Sequence, residues 1–183
     1  MPINKNSLAI IGLTAFAYYL LYELNRALFS SIEFASGVNW IYLPSGLKLA
    51  FVLIFVNLGA LGIVLATLAI NMVHPSSRGT DTLLVAAFIS GFAPWLARII
   101  CINKFKFDTS LHQLTTVTLI KIAMVFSVAS ALMHQIWFTW QDPTNNFLSA
   151  TAVMALGDFL GTLIVFYVTK TVANLVLAPQ KIQ

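Results

Sequence analysis

Charge is what this chain has least of: only 9% of its 183 residues are Asp, Glu, Lys or Arg, where an ordinary soluble domain has roughly one quarter. No polar stretch between the hydrophobic runs is long enough to fold as a soluble domain, so no catalytic or output module is expected. A single cysteine, Cys101, excludes an internal disulfide and reads as an inert apolar residue. The three histidines, His74, His112 and His134, are not grouped at metal-ligand spacing, so no metal site is expected and no cofactor is indicated. Low-complexity linkers and a three-plus-three internal repeat are absent as well. The ten cations exceed the six anions, but they are scattered among helix ends rather than gathered on one face, which excludes a nucleic-acid surface.

Apolar residues fill the space that charge leaves, at 59% of the chain and a mean hydropathy of +0.88. Such a composition belongs to a protein whose solvent is lipid. A spanning helix needs about 20 apolar residues, so this length holds at most about six spans. Six runs stand out, over 7–30, 44–56, 60–73, 81–102, 114–140 and 147–177. The first is too long and uniform for a signal peptide. Pro44 suits the first turn of the second, and Asn57-Leu58-Gly59 interrupts the chain before the third. These two short runs are compatible with a tight hairpin of tilted spans, a re-entrant pair or one kinked helix. The expected fold is therefore all-α, a single polytopic transmembrane helical bundle of about six spans.

Cationic loops resist translocation, which sets the orientation. With the N-terminus inside, Lys5, Lys104, Lys106, Lys170 and Lys181 fall on the cytoplasmic side, while Glu33, Asp81, Asp142 and Arg78 fall on the other. Both termini are then cytoplasmic. Trp40, Tyr42, Trp137 and Trp140 collect at the outer ends of their spans, where amphipathic rings favour the headgroup layer.

Each ionisable residue inside a membrane costs several kcal/mol unless it is paired, hydrated or extended to the interface. Glu23 and Arg26 are three apart on one helix and can neutralise each other. Arg98 lies near the cytoplasmic end of its span and can reach water. Asp158, in Ala155-Leu156-Gly157-Asp158-Phe159-Leu160-Gly161, is too short to do so from mid-span. It requires a partner, and the buried cations on offer are Lys48 and Lys121. Gly157 and Gly161 form a small-xxx-small packing face. His134, beside Gln135 and Trp137, reads as an interfacial hydrogen-bonding residue. Ser45-Gly46 with His134 lacks both a nucleophile motif and an orienting third group, so no enzyme is expected.

The segment Val38-Asn39-Trp40-Ile41-Tyr42-Leu43-Pro44-Ser45-Gly46-Leu47-Lys48-Leu49-Ala50, with the glycine-containing hairpin after it, resembles the aromatic-x-Pro-small-Gly opening of MASE1, a membrane-associated sensor domain. The Gly157-Asp158-Phe159-Leu160-Gly161 stretch is similar to that family's late Gly-Asp-x-Leu-Gly segment. Pro44, Gly46, Gly157, Asp158 and Gly161 occupy matching motif positions. The resemblance implies a sensory membrane domain, usually joined to a cytoplasmic histidine kinase or diguanylate cyclase. This chain departs from the family in being shorter than eight spans, in placing Lys48 within the opening motif and in carrying no transmitter helix.

The expected function is accordingly a stand-alone sensory or ligand-binding protein of the bacterial inner membrane that works through another membrane or signalling protein. In it, Asp158 pairs with Lys48 or Lys121 between the second, fifth and sixth spans. A structural subunit of a larger membrane complex, docking through its glycine face and its abundant phenylalanines, is the first alternative, and a small transporter or substrate-binding subunit is the second.

Overall fold

In the computed structural model, which describes residues 4–74, 79–105 and 115–177, six α-helices carry most of the chain. They are α1 (Lys5–Phe29), α2 (Pro44–Phe55), α3 (Asn57–Val73), α4 (Gly79–Phe105), α5 (Thr116–Gln141) and α6 (Phe147–Leu177). The expectations for Arg78, Lys106, His112 and Lys181 lie outside the described residues. Helix starts follow local chemistry. The Asn4 side chain accepts the Ser7 N–H at 2.8 Å ahead of α1, and Thr115 accepts that of Thr118 at 3.2 Å ahead of α5.

Hydrophobic patterning predicts no element between α1 and α2, yet two short strands form there. β1 (Glu33–Ala35) pairs antiparallel with β2 (Val38–Asn39), and the Glu33 carboxylate accepts the N–H of Gly37, whose φ of 75° makes the turn. This hairpin rests on α6, with Val38 buried beside Ala150 and Val153. The fold is thus all-helical apart from one small hairpin.

The two short runs are separate helices packed on each other, not one kinked helix. The chain reverses at Val56, which takes φ 49° and ψ −113°, and Gly59 comes back against the Phe51 carbonyl. Asn57, Leu58 and Gly59, expected to be the break, instead form the first turn of α3. The Trp95 indole donates to Asn57 at 2.9 Å and ties the tip of the helical hairpin to α4. At 12 and 17 residues, α2 and α3 are about 18 and 26 Å long, both short of the roughly 30 Å hydrocarbon layer.

Helix α2 sits at the centre, packed against α1, α3, α4 and α6. One buried cluster joins Leu49 and Leu53 to Ala93, Ala97, Cys101 and Phe126 of α4 and α5, and a second joins Val52 to Tyr18, Ile63, Ala66 and Ile70 of α1 and α3. Among the described residues four helices, α1, α4, α5 and α6, are long and apolar enough to cross a membrane. Their surface agrees with that solvent. Leu13, Phe16, Leu20, Leu24 and Leu28 make an exposed apolar stripe on α1, whereas Ser7, Thr14, Tyr18 and Asn25 of the same helix are buried. Polar groups face in and hydrocarbon faces out, as a helix in lipid requires.

Candidate functional site

The residues before α2 are not helical, so their backbone N–H groups must find partners outside any helix ladder. The Leu43 N–H donates to the buried side chain of Asn25 on α1 at 2.8 Å. The Tyr42 N–H donates to the Gly157 carbonyl of α6 at 3.1 Å. Sequence reasoning overlooked Asn25, although an uncharged amide within a span is itself a sign of a backbone partner. Close approach explains the glycines. A Cβ on Gly157 would run into the Asn39 carbonyl, and one on Gly161 into that of Tyr42, while Gly46 of α2 packs against Val165 of α6. The two motif segments, more than one hundred positions apart, are therefore packed backbone to backbone, and Pro44 opens α2 at their junction.

This contact brings Ser45 to Asp158. The serine hydroxyl donates to Asp158 Oδ1, and both residues are buried. Sequence reasoning placed no weight on Ser45 as a partner of the carboxylate. The second oxygen, Oδ2, accepts no hydrogen bond from a described residue, and the buried Ser130 hydroxyl beside the carboxyl closes no well-aligned bond with it. Lys48 lies one turn beyond Ser45 and is only 3% exposed. Its ammonium reaches Ser90 of α4 at 3.4 Å and stands 5.1 Å from the ring centre of Tyr42 and 5.8 Å from that of Tyr18. The two tyrosine hydroxyls hydrogen-bond each other at 2.9 Å. No direct ion pair joins Lys48 to Asp158.

Both charges line a cavity of about 350 Å³. Its walls carry Tyr18, Asn25, Thr67, Asn71, Thr82, Ser90 and His134, and the exposed Glu33, Ser36 and Gly37 of the β-hairpin segment border it at the other end. The volume lies at the low end of ordinary small-molecule sites. Its lining is unusually rich in hydroxyl and amide groups for the interior of an apolar bundle.

Other expected site residues fall elsewhere. Lys121 is exposed on α5 and cannot be the partner of Asp158. Its outward direction is hidden from the sequence because the exposed side of this helix is as apolar as the buried side. Glu23 and Arg26 do pair, at 3.7 Å, but Glu23 also accepts from His74 at 2.7 Å, tying α1 to the end of α3. Arg98 is half-buried, and because α4 continues to Phe105 it sits about two turns from the helix end rather than one. His134 is buried in the cavity wall instead of at an interface, with Nδ1 donating to the Ser130 carbonyl at 2.8 Å. Tyr42 likewise turns its hydroxyl inward. Among the described residues, no group of three His, Cys, Asp or Glu side chains is placed to hold a metal.

No protein-family model, curated protein or solved structure matches this chain.

Proposed function

We propose that this chain is a MASE1-like sensory protein of the bacterial inner membrane that holds a small ligand in the cavity lined by Lys48 of α2 and Asp158 of α6 together with α1, α3, α4 and α5, and signals through a partner protein. Two buried opposite charges, Lys48 and Asp158, standing apart on the wall of one cavity, carry this reading. Separated charges in a low-dielectric interior are costly, and a structural ion pair would bring them together. Held apart, they are positioned for a third party. A ligand that bridges them favours one arrangement of α2 against α6, and differential affinity for that arrangement shifts the helix ends.

The bundle crosses the bilayer six times in this proposal, with α2 and α3 as a short hairpin of spans and both termini cytoplasmic. Lys5 starts α1, Lys104 is near the end of α4 and Lys170 lies in the last turns of α6, whereas Glu33, Asp81 and Asp142 lie at the opposite helix ends. That distribution supports the orientation. The chain has no role as an enzyme here. Gly157 and Gly161, expected to serve a structural subunit as part of its docking face, are covered by the chain's own 39–43 segment, which favours the sensory reading.

Native mass spectrometry of the gently solubilised protein tests the proposal. A small molecule retained by the wild type and lost from Lys48→Met, together with a co-purifying kinase or cyclase, is the expected result. Retention of subunits of a large membrane assembly, with no small molecule bound, would overturn it.

A further inference from the structure

Lys48 and Asp158 face one space with opposite charge and incomplete hydrogen bonding, and from this we infer that the ligand is a small zwitterion, an amino acid or a close analogue. Its carboxylate meets Lys48 and its ammonium meets Asp158. The inference rests on the proposal that the cavity is a ligand site and adds the chemistry of the ligand.

An ammonium has three N–H donors, and Lys48 uses one of them, over a long 3.4 Å contact to Ser90. The Tyr18 and Tyr42 rings flank the charge without accepting from it in the way an oxygen does. Two donors thus remain for a carboxylate. Asp158 is the complement: Ser45 holds Oδ1, and Oδ2, buried beside the Ser130 hydroxyl, closes no well-aligned hydrogen bond with it or with any other described residue. A primary ammonium supplies what that oxygen lacks. Thr82, also buried and lining the cavity, has a hydroxyl without a hydrogen-bond partner among the described residues and offers one more polar contact.

Simple ions fit less well. A monocarboxylate satisfies Lys48 but brings a second negative charge near Asp158, and an amine does the reverse. Each would also carry net charge into a low-dielectric interior. A zwitterion is neutral overall and satisfies both groups. Lipid tails fit less well on different grounds, because an alkyl chain would cover the hydroxyl, amide and charged groups of the lining without offering them a hydrogen-bond partner.

The test is calorimetric titration of the detergent-purified full chain with α- and ω-amino acids, each compared with its methyl ester and its des-amino acid. At least one zwitterion should bind, and removing either of its charges should weaken it roughly tenfold or more, the usual effect of losing a charge-assisted hydrogen bond. Asp158→Asn should erase the preference over the des-amino acid, and Lys48→Met the preference over the ester. If Asp158→Asn fails to fold, the three ligand classes on the wild type still decide. Equal binding of des-amino acids would overturn the inference and leave an anion site in the same cavity, and equal binding of esters would leave a cation site. Absence of binding by every amino acid also overturns it. If the wild type in addition retains no small molecule through purification, the proposed ligand site fails with it.

Discussion

Ser45 donates its hydroxyl hydrogen to the carboxylate of Asp158, joining the start of α2 to the middle of α6 across 113 positions of sequence. Both residues are buried, so the bond lies away from bulk water. It couples the two motif segments, and it fixes one carboxylate oxygen while the other takes no hydrogen bond from a described residue.

Replacing Ser45 with alanine should therefore destabilise the protein by about 1–3 kcal/mol, the cost of stranding a buried acceptor. Thermal unfolding in detergent measures it. An unchanged midpoint would mean that the hydroxyl contributes nothing to the junction.

Asp158→Asn should lower stability by about 3 kcal/mol at most, because it leaves Lys48 as an uncompensated buried cation without breaking a direct ion pair. Adding Lys48→Met should restore part of the loss, since the second change removes the stranded charge. Lys121→Gln should neither rescue the variant nor disturb the wild type, given its exposure on α5. Rescue through Lys121 in a double-mutant cycle would contradict the geometry.

Gly161→Ala and Gly157→Ala should each cost about 1–3 kcal/mol, because the added methyl meets backbone, which cannot move aside as a side chain can. Gly12→Ala is the control. Nothing lies within 4 Å of a Cβ at that position, so it should be neutral or stabilise α1 by about 0.5–1 kcal/mol. Equal losses at all three positions would point to a general effect of alanine rather than to close packing.

Val56 holds a backbone conformation with φ 49° that a β-branched residue rarely takes. Val56→Gly should relieve about 1 kcal/mol or more of strain and raise the unfolding temperature. A lower temperature would show that the valine side chain, not the turn, governs the hairpin.

The helices were legible because each is an apolar run bounded by polar or turn-forming residues, and the structural ends fall within three residues of the expected ones. Asp158 and Lys48 stood out for the same reason, as charges too far from water to be incidental. Lys121 misled because lipid removes the contrast between buried and exposed faces. When hydrocarbon is the solvent, an apolar stripe no longer marks the inside, and α5 buries Ser127, Ser130, His134 and Gln135 while exposing Val117, Met124 and Val128. The β-hairpin was invisible because strands of three and two residues carry no period to read. Ser45 and Asn25 became site residues only through contacts that depend on how α2 enters the bundle. Their partners lie on distant segments, and although an amide within the first span signals that Asn25 has a partner, nothing local identifies which one.

The central claim is that a polar cavity, open at the β-hairpin end, reaches inward to Lys48 and Asp158. A cysteine at Ser90, which contacts Lys48, reports on it most directly in a Cys101→Ala background, where it is the only thiol. With right-side-out membranes, a small charged methanethiosulfonate reagent that does not cross the bilayer should label Ser90→Cys from the extracytoplasmic side, and Ser127→Cys, buried away from the cavity lining, should stay unlabelled. Protection of Ser90→Cys, or its labelling only from the cytoplasmic side, would contradict the account.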